Sequence, residues 1–199
     1  QRVSRRLGLR CSFTPKLSSD QVGNGGHVHF SLRRHGQPVL QGGDGPGGVL
    51  PEGAALIAGV LHHLPALLPI ACPLSASYAR LAPSSWSAPY QGWGIENREA
   101  ALRLVPTSVD RVPAHLELKV ADLGANPYLL LGSLQVLALA ALSEAVPLPA
   151  PVCGDPARLD GTTAAPARLP QSLAAGRTAL ASSAALSAAL GGPPHGSVL

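Results

Sequence analysis

The hydrophobic pattern divides the chain into alternating segments and helical ones. Leu7–Phe13 alternates loosely and predicts a strand that Pro15 ends. Gly26–Arg33 alternates more clearly. His27 and His29 share one face, and Val28 and Phe30 the other. Residues 37–48 hold five glycines and two prolines and predict a flexible loop, with a short extended piece at Pro38-Val39-Leu40. Pro51-Glu52 opens a helix whose Leu56, Ile57, Val60, Leu61, Leu64 and Leu68 recur at helical spacing. Pro65 is its kink point and Pro69 its expected end. Residues 75–91 predict an irregular segment, and Trp93–Asn97 a short strand.

Two further segments alternate well. In Glu99–Val105 the residues Ala101, Arg103 and Val105 oppose Ala100, Leu102 and Leu104. In His115–Val120 the residues His115, Glu117 and Lys119 oppose Leu116, Leu118 and Val120. Charge on one face and apolar side chains on the other describe strands with one wet side. Asn126-Pro127 starts a helix that reaches about Ala145. Residues 149–170 read as a linker, Leu173–Leu190 as an Ala-rich helix, and 191–199 as a disordered tail. The expected fold class is α+β, antiparallel strands with helices inserted between them. The divisions are 1–150, then 151–190 as linker and terminal helix of the same domain, then 191–199.

Composition narrows the function classes. A formal charge of +4 without a basic block argues against a nucleic-acid partner. The apolar stretch 54–72 is interrupted by His62, His63, Pro65 and Pro69, which argues against a membrane span. Cys11, Cys72 and Cys153 lack close spacing and read as reduced thiols of a cytoplasmic protein. There is no signal peptide pattern at the N-terminus, and the chain contains no Met, which suits a fragment of a longer protein. His62 and His63 read as helix-surface residues.

The candidate chemistry lies on the polar strand faces. His27, His29, Arg98, Arg103, His115, Glu117 and Lys119 would form one wet surface if the strands are neighbours, with Arg80 nearby in a loop. By spacing alone, His27 and His29 read as ordinary polar-face histidines more readily than as metal or phosphate ligands. An imidazole and a carboxylate suit a hard divalent ion, Mg2+ or Mn2+, more than structural zinc. Arginines facing them suit carboxylate and phosphate groups.

Six motifs occur in one order. They are Phe13-Thr14-Pro15-Lys16; Gly23-Asn24-Gly25-Gly26-His27-Val28-His29-Phe30-Ser31-Leu32; and Ser77-Tyr78-Ala79-Arg80-Leu81-Ala82-Pro83. Then come Trp93-Gly94-Ile95-Glu96-Asn97-Arg98-Glu99-Ala100-Ala101-Leu102-Arg103; Leu116-Glu117-Leu118-Lys119; and Asp122-Leu123-Gly124-Ala125-Asn126-Pro127-Tyr128. In this order the chain resembles the C-terminal part of the glutamine synthetase catalytic domain over about residues 5–190.

The resemblance implies an ATP-dependent ligase of nitrogen metabolism. Such an enzyme phosphorylates the γ-carboxyl of glutamate or a related acid, and ammonia or an amine then displaces the phosphate. By position, His27 and Glu117 match metal ligands, and His29, Ser31, Arg98 and Arg103 match nucleotide contacts. Gly23, His27, Arg80 and Lys119 fall at the amino-acid substrate, and Arg98 and Arg80 at catalytic positions. Three departures stand out. Trp86 occupies the place of the loop glutamate that closes the site. Lys119 and His115 replace arginines. These point to divergent members such as γ-glutamyl-amine ligases, or to a non-catalytic structural or regulatory binding protein. The resemblance also implies an upstream β-grasp domain and first catalytic half, supplying most metal glutamates, and a homo-oligomeric ring. This stretch alone is therefore expected to be inactive.

Overall fold

The computed structural model describes residues 1–18, 20–108 and 112–191. The tail assigned to 191–199 lies outside them except for Gly191. Four strands form the main sheet: β1 (Val28–Phe30), β4 (Trp93–Ile95), β5 (Leu102–Val105) and β6 (His115–Leu118), in the order β1-β6-β5-β4. A small hairpin joins β2 (Arg33–Arg34) to β3 (Gln37–Pro38). The helices are α1 (Arg2–Arg6), α2 (Pro51–Ala71), α3 (Ser75–Arg80), α4 (Pro127–Ser143), α5 (Leu173–Ala181) and α6 (Ala184–Ala189).

The predicted division of faces holds in the sheet. Phe30, Leu104 and Leu116 stand in one cross-strand row and Val28, Leu102 and Leu118 in another. All six belong to, or pack on, one apolar core with α2. Each fully buried Leu contributes roughly 2 kcal/mol. The sheet is mixed, because β4 and β5 run parallel while the other pairs are antiparallel. In the short 96–101 connection Glu96, directly after β4, adopts a left-handed φ of 52°. Asn97 then anchors the turn, its Nδ2 donating to the carbonyls of Val152 and Gly154 at 2.7 and 2.9 Å.

Helix α2 runs to Ala71, two residues past the expected stop at Pro69. Proline removes an N–H, so the carbonyl four residues before Pro65 loses its helical donor. That carbonyl, on Leu61, instead accepts from Gln91 Nε2 at 2.8 Å. Among the described residues α2 is the one helix long and apolar enough to cross a membrane, yet most of its residues are buried within this fold. Helix α4 begins at Pro127 as predicted, with the Asn126 side chain accepting from the N–H groups of Tyr128 and Leu129. Gly59 lets α2 and α4 touch, since a Cβ there would lie 2.2 Å from Ala141 Cβ.

Other expectations change. Leu7–Phe13 forms no strand, and Leu7, Leu9 and Phe13 are exposed. No described strand lies beside them to bury an apolar face; the unpredicted helix α1 precedes them. The loop at 37–48 contains β3 and the buried Val39 and Leu40. Residues 75–80, expected to be irregular, form α3. The segment 149–170 is tied down rather than free: Trp93 Nε1 donates to Pro149 O at 2.8 Å, and Tyr90 bridges to Arg168. The single terminal helix is two, because Ser183 caps α6 by accepting from Leu186 N–H.

Candidate functional site

Strand register builds the site. His29 pairs with Glu117 across β1–β6, and Glu117 with Arg103 across β6–β5, so the three stand in one row. Glu117 is buried at 4% exposure and is the hub. Its Oε1 lies 2.7 Å from His27 Nδ1, 3.8 Å from His29 Nε2 and 3.6 Å from Lys119 Nζ. Its Oε2 accepts from Arg103 Nη1 at 3.2 Å. Arg103 Nη2 pairs with Glu96. His115 adds a ring 5.1 Å from that of His29. The face expected to be wet is open at His27, His29 and Arg98 and buried at Glu117 and Lys119.

A second group forms on the turn. Arg80 is 5% exposed, and its Nη2 donates to the carbonyls of Val120 and Ala121. Ala121 O also accepts from Gly26 N–H at 2.8 Å, which docks the glycine turn on the same stretch. A Cβ at Gly23 would lie 2.4 Å from Arg80 Cγ, so glycine is required for that contact. Gly23 and Arg80, far apart in sequence, are thus in direct contact. Arg80 Nε has no partner, and Asp122 Oδ2 is likewise buried without one. Cys72 lies beside Arg80 and donates to Val120 O; burial pushes its thiol up to about 12. Cys72 is therefore an inert, protonated thiol.

Two assigned residues stand apart from these groups. Arg98 is exposed in the turn after Asn97 and joins none of the described ion pairs. Ser31 lies past the end of β1 and borders an apolar recess of about 440 Å³ with Val28, Phe30 and Leu134. That recess, and the larger one beside it lined by Arg34 and Leu139, lie away from the His27–His29 face. Glu96 and Asp122 stand within the motifs, and Gln91 ends the segment expected to be irregular, none with an assigned task. Their signal was weak, because each acts through a contact made only on folding.

The electrostatics favour an anionic Glu117 beside a neutral His27. Burial alone would raise the Glu117 carboxyl, but Lys119, His27, Arg103 and His29 together hold it below the ordinary value. Burial first, then Lys119, push the His27 imidazole below its usual 6.5, with Glu117 opposing. Both groups therefore take up protons less readily folded than unfolded. The stability they contribute is full above the unfolded-state values and is lost as pH falls, first through the histidine range and then the carboxylate range. Acidification from pH ~7 to ~4 should lower the unfolding midpoint of the wild type more than that of His27→Gln, which removes one titrating group and one of the side chains that hold the Glu117 carboxyl down. Parallel pH curves in denaturant titrations would contradict this.

A neutral imidazole and a carboxylate are donors suited to a hard divalent cation. Among the described residues no three His, Cys, Asp or Glu side chains are placed to hold a metal ion together. The donor set fits part of such a site, with His27 and Glu117 as two ligands out of about six.

A family model for the glutamine synthetase catalytic domain matches residues 1–194. The chain belongs to the glutamine synthetase family. It is 46% identical over 186 residues to gamma-glutamylpolyamine synthetase GlnA3 of Streptomyces coelicolor, covering 88% of this chain and 40% of that protein. It is 33% identical over 154 residues to the glutamine synthetase of Frankia alni, covering 77% of this chain and 32% of that one. Two solved structures share the fold. "Apo GmaS without ligand" aligns with a TM-score of 0.81 at 28% identity, over 96% of this chain and 43% of that one. "Crystal structure of novel glutamine synthase homolog" aligns with a TM-score of 0.77 at 34% identity, over 95% and 42%. The chain thus spans less than half the length of these relatives. The similar proteins are ligases, and the mixed α+β architecture is theirs.

Proposed function

We propose that this chain forms the C-terminal part of the catalytic domain of an ATP-dependent acid–amine ligase. The reaction joins the γ-carboxyl of glutamate, or a related acid, to an amine through an acyl phosphate. The observation that carries this reading is the row His29–Glu117–Arg103 with His27 and Lys119 closing on it. Mg2+ or Mn2+ held by His27 and Glu117 would offset charge on the nucleotide's phosphates. Arg103, with Arg98 from the adjacent turn, supplies fixed donors for phosphate oxygens. His29 contacts the nucleotide from the same strand face, and Ser31 from the strand's end. Arg80 and Gly23 hold the amino-acid substrate, with the buried guanidinium as its carboxylate partner. Lys119 keeps a positive charge near the substrate without the bidentate fork of an arginine.

The amine is larger than ammonia on this reading. Trp86, where the resemblance places a site-closing glutamate, is 71% exposed with a left-handed φ of 51°. An exposed indole offers an apolar, cation-attracting surface to an alkylamine and no carboxylate to deprotonate ammonia. The similarity to a gamma-glutamylpolyamine synthetase points the same way. The missing metal ligands come from the rest of the protein and from a homo-oligomeric ring, so the isolated chain is inactive.

The test is phosphate release from ATP by the full-length protein with glutamate and a panel of mono-, di- and polyamines. Amine-dependent release, strongest with a polyamine, is expected. No release with any amine would favour a non-catalytic binding protein, which the His115 and Lys119 replacements would suit. Separately, His27→Ala should weaken Mn2+ binding at least about tenfold, the scale of a lost ligand contact. Unchanged affinity would remove His27 from the metal.

A further inference from the structure

We infer that Glu96 is a positioning residue that aims the Arg103 guanidinium at the phosphate-binding face. Arg103 is bracketed: Nη1 reaches Glu117 at 3.2 Å and Nη2 pairs with Glu96. Its side chain is 19% exposed, and its Nε is buried without a partner. The guanidinium is therefore fixed by two carboxylates on its two terminal nitrogens and by nothing else that the described residues provide. With one N–H of each terminal nitrogen held in this way, the other N–H of each remains for an incoming anion.

The backbone presents Glu96 for this task. It follows β4 directly, and its left-handed φ of 52° is uncommon for a residue with a side chain. Its N–H donates to Leu104 O at 2.9 Å, which locks the residue beside β5, next to Arg103. Asn97 holds the following turn from below. Glu96 is itself half-exposed, so the pair adds little to stability. What it provides is orientation: without it the guanidinium pivots about Glu117, the one remaining contact. A preorganised donor is worth more to a bound anion than a mobile one.

This rests on the phosphate role proposed for Arg103, and the experiment separates the two. MgATP binding is measured by calorimetry on the full-length protein, independently of turnover, for wild type, Glu96→Ala, Glu96→Gln, Arg103→Ala and the Glu96→Ala/Arg103→Ala double variant. Alanine at 96 should weaken MgATP about tenfold with an unchanged unfolding midpoint. Glutamine, which keeps an acceptor oxygen, should recover most of that loss. In the Arg103→Ala background the alanine at 96 should cost nothing more, because the group it aims is gone. In turnover assays the loss should appear in KM for MgATP, with KM for glutamate unmoved. Equal costs in both backgrounds, or unchanged or tighter MgATP binding in Glu96→Ala, overturn the inference. If MgATP binding follows this pattern but no amine supports phosphate release, the ligase reading fails and the role of Glu96 stands. If the wild type does not bind MgATP, both fail.

Discussion

Glu117→Ala should lose both Mn2+ binding and a large part of the stability of the sheet. Four cationic or proton-donating side chains close on this one carboxylate: His27 at 2.7 Å, Arg103 at 3.2 Å, Lys119 at 3.6 Å and His29 at 3.8 Å. Lys119 and Glu117 are 6% and 4% exposed. Removing the carboxylate leaves a buried ammonium without compensation and the Arg103 guanidinium with Glu96 alone. Breaking one side of a buried pair costs roughly 3–5 kcal/mol. Glu117→Gln keeps the shape and one acceptor oxygen but removes the charge, so it should be less damaging to stability and nearly as damaging to the metal. Denaturant unfolding and Mn2+ titration of the full-length variants measure the two effects. A Glu117→Gln protein that binds Mn2+ like the wild type would show that this carboxylate is a structural counter-ion only.

Gly59→Leu should prevent α2 and α4 from docking. An added Cβ at Gly59 would lie 2.2 Å from Ala141 Cβ and 2.7 Å from Ala141 Cα, both within the α2–α4 contact. Neither helix can yield easily. Leu56, Val60 and Leu64 bury one side of α2, while Leu134 and Leu137 bury the matching side of α4. Overpacking of this kind costs about 1–3 kcal/mol for small additions, and a leucine exceeds that range. Gly132 in α4 supplies the comparison, because a Cβ there meets nothing within 4 Å. Gly132→Ala should therefore stabilise by up to about 1 kcal/mol through helix propensity alone. Gly59→Ala gains the same propensity and should still destabilise. Thermal unfolding of the pair checks this; if both alanine variants stabilise, α2 and α4 are not in close contact.

Much of the candidate site was legible because its strands alternate. Period two placed His27 with His29, and Glu117 with Lys119, before any pairing was known. The order of the six motifs then supplied the family. The helix starts at Pro51 and Pro127 were equally local, since each depends on proline's fixed φ and missing N–H. The run of α2 past Pro69 to Ala71 was not, nor the way the helix tolerates Pro65, whose vacant carbonyl partner is satisfied by Gln91 from a distant segment. The failed strand at Leu7–Phe13 shows the converse: alternation makes a strand only where a neighbouring strand and an apolar layer exist to receive it.

By itself, then, the sequence determined which side chains share a face, where helices α2, α4 and α5 begin, and which family the chain resembles. Tertiary structure alone decided the register that puts His29, Glu117 and Arg103 in one row, and the parallel pairing of β4 with β5. It also decided the contact of Gly23 with Arg80, and the reach of Glu96 to Arg103. The physical reason is range. Face and cap preferences arise within a few residues of backbone geometry. Register, burial and ion pairing depend on which distant segments bring their side chains to the same few ångströms.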